Sequence, residues 1–404
     1  MSLIVQKYGG TSVGSVERIR EVAARIKKTR DAGHSVIAVV SAMSGETDRL
    51  LTLGRGISEK PRERELDALV ASGEQVSASL LAIALGEMGV EARSMLGYQA
   101  RIKTDAAHTK ARIQSIDGEL LRRLSKDQVL VIAGFQGSDE AGNITTLGRG
   151  GSDTSAVAIA AATKADVCEI YTDVDGVYTT DPNTVPSARK IDRITYEEML
   201  ELASLGAKVL QIRSVGLAMK YGIPIHVRSS FSDAEGTIVT REEALLESVV
   251  VAGVAADKKA VKITMRHLRD EPGVVAKVFG ALAEANVVVD MIIQNVSVEG
   301  HTDLTFTVSD EDERRAVELA RSVGEELGVK EVLSNSDVVK VSIVGVGMRN
   351  HAGIAAKMFD LLAKEGINIE AISTSEIKTS CLIHAKYTEL ALRVLHDGFG
   401  LSER

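Results

Sequence analysis

The chain has 404 residues, 45% hydrophobic and 26% charged, with a net charge of −8, 3% aromatics and no Trp. That is a soluble globular balance, long enough for two or three cores, and it lacks the basic face and stacking rings of a nucleic-acid binder. Cys168 and Cys381 are too few for a disulfide framework and fit no zinc spacing. The start "MSLIVQKYGG" has no basic n-region and no run approaches the roughly 18 apolar residues of a membrane span, so a cytoplasmic chain with no membrane partner is expected.

Residues 1–240 alternate apolar strands with helices. Residues 3–7 read as a strand, and "IVQKYGGTSVGS" (4–15) carries it through a glycine turn toward a helix. Such turns hold phosphate when bare N–H groups and the helix dipole converge. The familiar loops do not fit: Ser15 stands where GxxxxGK[ST] needs lysine, and Tyr8 where GxGxxG needs its first glycine. Read alone, the stretch is equally an ordinary strand–turn–helix joint. The helix is expected from Ser15 as N-cap, with Val16, Ile19, Ala23 and Ile26 on one face. Lys27, Lys28 and Arg30 suit its C-terminal end, and Gly33 can close it. Apolar runs at 35–43, 128–135, 167–174 and 223–229 have the composition of buried parallel strands, with an Ala-rich helix at 152–164. A layered α/β domain of this kind gathers ligands at the carboxyl ends of its strands.

Beyond residue 240 the texture changes. "DEPGVVAKVFGALAEANVVVDMIIQN" (270–295) aligns without gaps on "NHAGIAAKMFDLLAKEGINIEAISTS" (350–375). The offset of 80 puts Gly273 on Gly353, Lys277 on Lys357, Phe279 on Phe359 and Leu282 on Leu362, the mark of an internal duplication. Each copy reads in the order of a ferredoxin-like βαββαβ module. The first, 260–336, is closed by "VKEVLS" (329–334), whereas the second, 337–404, runs out before its last strand. The β-rich "SVVVAGVA" (248–255) has no partner in the first module, so 249–254 is expected to cross over and complete the second.

Six segments occur in order: Lys7-Tyr8-Gly9-Gly10-Thr11-Ser12, "SAMSG" (41–45), "ASGEQ" (71–75), "LGRGGSD" (147–153), "YTDVDGVYTTDP" (171–182) and "LGAKVLQ" (205–211). Together with the paired modules they resemble the aspartokinase family and its tandem ACT domains, over essentially the whole chain. The resemblance implies an amino-acid-kinase-type three-layer α/β domain at 1–240 with a mostly parallel sheet, followed by two ferredoxin-like ACT modules. It implies an ATP-dependent kinase acting on the side-chain carboxylate of L-aspartate, with Mg²⁺ and no other cofactor, at the entry to lysine, threonine and methionine synthesis. A glutamate or N-acetylglutamate kinase would share the phosphate machinery, but the paired modules and "SGE" favour aspartate. A non-enzymatic amino-acid sensor would keep the modules without needing Lys7, Asp153 and Lys208 together.

By this resemblance the phosphate lysine comes from the strand before the turn, as Lys7, with Tyr8, Gly9 and Gly10 beside the nucleotide. Lys208 is a second cation over the phosphoryl group; by itself it reads as a lysine on a solvated helix face. Asp153 orients both lysines, though it also suits a helix N-cap. No base is needed, because a carboxylate acceptor is already ionised at neutral pH, and the eight His read as structural or surface. Arg149, with Ser152, suits the α-carboxylate, since a guanidinium fork binds carboxylates bidentately. Glu74 suits the ammonium group, yet it is equally a first-turn helix acid. Ser41 and Thr47 can hydrogen-bond the substrate. Thr172, Asp173 and Tyr178 match nucleotide positions, while Asn183 stands where the family often has arginine.

For regulation, the resemblance nominates Asp270, the N–H groups of Gly273, Val274 and Val275, and the side chains of Gln294 and Asn295. The facing module adds Ala355, Ala356, Ile369, Glu370 and Glu376, whose apolar members are also explained by core packing. Lysine, threonine or both are the implied effectors, in a homo-oligomer (dimer or tetramer) joined through the ACT modules.

Overall fold

In the computed structural model the apolar run from Ser35 forms a strand, Ser35–Val40, with every residue buried. The structure describes residues 2–205, 209–242, 250–295 and 300–403. The strand lies within an eight-stranded sheet, ordered Arg193–Thr195, Thr237–Thr240, Ile225–Ser229, Val167–Thr172, Leu3–Tyr8, Ser35–Val40, Val129–Ala133, Ala92–Met95. Neighbours are parallel, except that Ile225–Ser229 meets Thr237–Thr240 antiparallel.

Helices cover both faces. The first, Val16–Asp31, starts where expected: Ser15 Oγ accepts from Arg18 N at 3.3 Å. It buries Ile19, Val22, Ala23 and Ile26, but Val16 is 50% exposed, because the first helical residue precedes the turn that meets the sheet. Ser72–Glu87 packs beside it, and Ala78, Leu81 and Leu85 join Val36, Ala38 and Val40 in one core. Among the described residues, Glu63–Glu87 is long and apolar enough to cross a membrane by length and composition alone. Asp67 and Glu74 are buried within it and bonded to the domain, which marks it as a core helix pair. On the opposite face, Gly151–Thr163 lies over Leu3–Tyr8 and packs with Ile212–Tyr221. Successive strand residues alternate faces, so Tyr8 enters the first core while Lys7 points to Gly151–Thr163.

The chain divides into two units, and the division is not the single cut near 240 that the sequence texture implies. The second unit takes Thr179–Arg189 as well as the residues from Val250 onward. Val185, 1% exposed, sits in its core with Val339 and Leu392. Thr179 O accepts from Val254 N at 2.7 Å, and its Oγ1 lies 2.9 Å from His396 Nε2.

Within the second unit are two four-stranded sheets. One holds Val289–Gln294, His301–Ser309, Ala260–Arg269 and Glu331–Asn335, covered by Val274–Glu284 and Glu313–Leu327. The other holds Gly253–Asp257, Val338–Val344, Lys378–His384 and Ile369–Thr374, covered by Ile354–Lys364 and Thr388–Gly398. Thus a strand made before the first module completes the second: Gly253 lies opposite Val344 and Asp257 opposite Lys340. The paired strand begins at Gly253 rather than 249, a residue outside those described. Val250 passes against Gly345 first, where a Cβ would stand 2.3 Å from Val250 O. Gly273 and Gly353, matched by the repeat, have φ of 91° and 88° and start their helices identically. The modules also exchange ion pairs: Lys262 bonds Glu370, and Lys340 bonds Asp290, whose number is 80 below Glu370.

Candidate active site

The candidate phosphate site lies in the first unit, at the carboxyl ends of Leu3–Tyr8 and Val167–Thr172. Lys7 Nζ approaches Asp153 Oδ1 at 2.7 Å. Asp153 stands in the first turn of Gly151–Thr163, where the helix dipole favours a carboxylate. The contact is an ion pair without hydrogen-bond alignment, since Asp153 Oδ1 has no aligned donor among the described residues. Gly9 N donates to Tyr171 O at 3.2 Å, tying two strand ends together. A Cβ on Gly9 would stand 3.5 Å from Lys7 Nζ. A Cβ on Gly10 would come within 2.9 Å of Ala42 O, so this turn closes against the 41–45 loop only without a side chain.

That loop links two candidate residues. Ser41 N donates to Tyr8 O at 3.1 Å, and Ala42 N donates to Glu74 Oε1 at 3.1 Å. Glu74 is 3% exposed, and its Oε2 has no partner among the described residues. Burial pushes its carboxyl from 4.5 to about 7, against the lowering effect of the Ala42 N–H. Glu74 is in the first turn of its helix, the position its reading as a first-turn acid expects. Thr47, half-buried, is in the first turn of Glu46–Ile57.

Ser152 and Asp153 are each 8% exposed, and Ser152 Cβ lies 3.0 Å from where Gly134 would carry a Cβ. Arg149 is exposed on the turn just before them. Thr172 ends its strand beside the glycine turn; its O accepts from Ser230 N at 2.8 Å and its Oγ1 donates to Asp173 Oδ1 at 3.1 Å. Tyr178 OH donates to Asp175 Oδ1 at 2.9 Å, and burial raises its phenol pKa.

The structure therefore brings together Lys7, Gly9, Gly10, Asp153 and Thr172, and separately joins Ser41 to Glu74. Tyr8 offers little: its fully buried ring stacks on Tyr171 with centroids 4.8 Å apart, and its carbonyl is taken by Ser41. Asn183 belongs to the second unit, where its N and Nδ2 donate to Asp181 Oδ1 at 2.9 and 3.1 Å. Lys208 lies outside the described residues. Among the described residues no group of three or more His, Cys, Asp or Glu could hold a metal ion.

In the first regulatory module, Gln294 Nε2 and Asp270 Oδ1 are 3.5 Å apart, both exposed, beside the helix start at Gly273. Asn295 is exposed and its O accepts from Thr302 Oγ1 at 2.8 Å. Val274 is core, 7% exposed, and Val275 is half-buried. In the second module Ala355 and Ile369 are half-buried, Ala356 is exposed, Glu370 pairs with Lys262, and Glu376 pairs with Arg349 at 3.3 Å.

Three residues not singled out in the sequence hold the Arg149 turn. Asp67 accepts from Thr146, Gln211 Nε2 donates to Arg149 O at 2.7 Å, and Arg213 Nη1 donates to Leu147 O at 2.7 Å. Asp67 had a legible signal, a carboxylate in the otherwise apolar "LDALVA".

The amino acid kinase family model matches residues 2–229, and an ACT-domain model matches 261–322 and 341–399. The chain is 56% identical over 403 residues to aspartate kinase Ask_LysC of Stutzerimonas stutzeri, covering 99% of this chain and 98% of that protein. It is 56% identical to an aspartokinase of Pseudomonas aeruginosa, with the same coverage. Escherichia coli aspartokinase III, solved with aspartate and ADP in an R-state, matches with a TM-score of 0.81 at 27% identity, covering 98% of this chain and 99% of that one. The same enzyme with lysine and aspartate in a T-state matches at 0.76. Ordered motifs, paired modules and full-length identity agree, and the chain belongs to the aspartokinases of the amino acid kinase family.

Proposed function

We propose that the chain transfers the γ-phosphoryl group of ATP to the side-chain carboxylate of L-aspartate, giving ADP and 4-phospho-L-aspartate. The observation that carries this reading is the Lys7–Asp153 pair, 2.7 Å apart beside a glycine turn that closes on the 41–45 loop, which in turn bonds the buried carboxylate of Glu74, one of whose oxygens has no partner among the described residues. The full-length identity of 56% to curated aspartate kinases supports the choice of substrate.

In this reading a carboxylate oxygen of aspartate bonds to the γ-phosphorus as the bond to the β–γ bridging oxygen breaks, and ADP takes the electron pair. Aspartate is ionised at neutral pH, so no proton moves in the attack. The transferring group spreads negative charge over its oxygens, and a charge fixed beforehand stabilises it without reorganisation. Lys7 is that charge, with Asp153 holding its ammonium in place. Glu74 receives the substrate ammonium group, and ionises as that cation arrives. Arg149 receives the α-carboxylate, with Ser41, Thr47 and Ser152 as further contacts. Thr172, Asp173, Tyr178, Asn183 and Lys208 are assigned to the nucleotide. Mg²⁺ would accompany ATP as its counter-ion, offsetting charge on the phosphate oxygens.

Lysine, threonine or both act as feedback effectors at Asp270, Gly273 and Gln294, in a cytoplasmic homo-oligomer. The test is ADP release by the purified chain with ATP and aspartate, with glutamate and N-acetylglutamate in parallel. Release that depends on aspartate alone is expected; release indifferent to aspartate overturns the reading.

A further inference from the structure

We propose that Asp67 and Gln211 are positioning residues for aspartate, acting through the turn that carries Arg149; this rests on the assignment of Arg149 to the substrate α-carboxylate. Neither residue needs to touch the substrate. Their effect is on the backbone from which Arg149 projects.

Asp67 is wholly buried, on the helix Glu63–Val70. A buried carboxylate is costly unless donors surround it, and here they do. Oδ1 accepts from Thr146 Oγ1, both oxygens lie 3.0 Å from Thr109 N, and Oδ2 lies 2.8 Å from His108 Nδ1. Thr146 is the last residue of the strand Ile144–Thr146, so the bond fixes the point where the turn begins. Thr109 walls the turn from the side: its O lies 3.1 Å from where Gly148 would carry a Cβ. One carboxylate thus sets both the start of the turn and its neighbour.

Gln211 sets the other end. Its Nε2 donates to Arg149 O at 2.7 Å, and its side chain fills the space over Gly150, where a Cβ would come within 2.6 Å. Gly150 has φ of 68°, so only glycine suits the position twice over. Arg213 adds a clamp midway, donating to Leu147 O at 2.7 Å and to Ala111 O at 3.2 Å.

Why this should matter for aspartate follows from spacing. The α-carboxylate and ammonium of an amino acid hang on one carbon, so the groups that receive them must keep a fixed separation. Asp67 lies on the helix immediately before Ser72–Glu87, which carries Glu74, and it bonds the strand leading to Arg149. The same side chain therefore ties the ammonium side to the carboxylate side. Misplacement of a contact group by an ångström costs on the order of a hundredfold.

The test uses the full chain, assayed by ADP release, as Asp67→Asn, Gln211→Ala and Gln211→Glu, each alone and combined with Arg149→Ala. Gln211 is half-buried at the surface, so its variants remain informative if Asp67→Asn fails to fold. Expected is a rise in aspartate KM of roughly 10- to 100-fold, a smaller change in kcat, and an ATP KM that stays put. Gln211→Glu, which keeps the shape and loses the donor, should behave as Gln211→Ala. In the Arg149→Ala background each change should add little, because the turn no longer presents anything. The proposal is overturned if ATP and aspartate KM move together, or if the Gln211 and Arg149 effects multiply in full. An Arg149→Ala variant with unchanged aspartate KM would overturn the assignment of Arg149 itself, and this proposal with it.

Discussion

Lys7 Nζ and Asp153 Oδ1 stand 2.7 Å apart, with 11% and 12% of their side chains exposed. In the proposed reaction a lysine so enclosed is positioned before the phosphoryl group arrives. Lys7→Ala should lower kcat by about 10²–10³, as loss of other preorganised charges does, with less effect on aspartate KM. Asp153→Asn should also lower kcat, by freeing the ammonium, while leaving both KM values nearly intact. Steady-state kinetics decide, and near-normal turnover by Lys7→Ala would remove it from the reaction.

Glu74 predicts two pH effects of opposite sign. Its carboxyl is pushed up to about 7, chiefly by burial, and only the ionised form receives an ammonium group. The kcat/KM for aspartate should therefore rise with pH through about 7 and then level off. The rising limb should vanish in Glu74→Gln, at a lower plateau. For stability, a folded-state value above the unfolded one means the native chain holds its proton more tightly. That contribution is fully present below about 4.5 and is lost as pH rises through about 7. Ligand-free Glu74→Gln should then melt above the parent at pH near 8 and lose most of that margin at pH near 5, read by calorimetry.

Binding should separate from chemistry at the substrate contacts. Glu74→Ala and Arg149→Ala should each weaken aspartate binding by about 2–5 kcal/mol, since each leaves a charged partner unpaired. ATP affinity should hardly change. If calorimetry finds nucleotide binding falling in step with aspartate binding, these two residues belong elsewhere.

Regulation should be separable from turnover. Asp270→Ala and Gln294→Ala change exposed side chains that lie 3.5 Å apart in the first module. An effector shifts an equilibrium only by its differential affinity for two states, typically about 1–3 kcal/mol of coupling. Each variant should raise the lysine or threonine concentration needed for half-inhibition, with uninhibited turnover near that of the parent. Titration with each amino acid alone and with both together reads the effect. Absence of inhibition of the parent at millimolar levels would sink the effector assignment.

What could be read from the sequence was what composition and spacing encode. Val36 to Val40 form a buried strand because five apolar residues in a row cannot be left in water. Ser15 caps its helix, and the offset of 80 found the glycines that open both module helices. What stayed hidden depends on distant chain. The raised carboxyl of Glu74 comes from its burial in the folded domain, and its neighbours in sequence say nothing of that. Thr179–Arg189 joins the second unit through the buried Val185 and the hydrogen bonds of Thr179, in a stretch that reads as polar loop. That the crossing strand starts at Gly253 was hidden because Val249 to Val251 are all valine, so no alternation in the sequence marks a register.

The crossing strand also orders events during synthesis. Gly253–Asp257 leaves the ribosome before the first module and waits for Val338–Val344, made after it. The first module can close its sheet once Glu331–Asn335 emerges, while the second remains open. Val185 and Thr179 wait longer, because their partners include Leu395 and His396 near the end of the chain. Closing so long a loop costs little equilibrium stability, as the entropy grows only with the logarithm of length, but it slows folding. The strand edge stays open until Val338–Val344 emerges and Val185 stays bare until Leu392 does, both surfaces on which nascent chains aggregate. The helix Thr388–Gly398 brings Leu392, Leu395 and His396, so its arrival covers Val185 and gives Thr179 its partner.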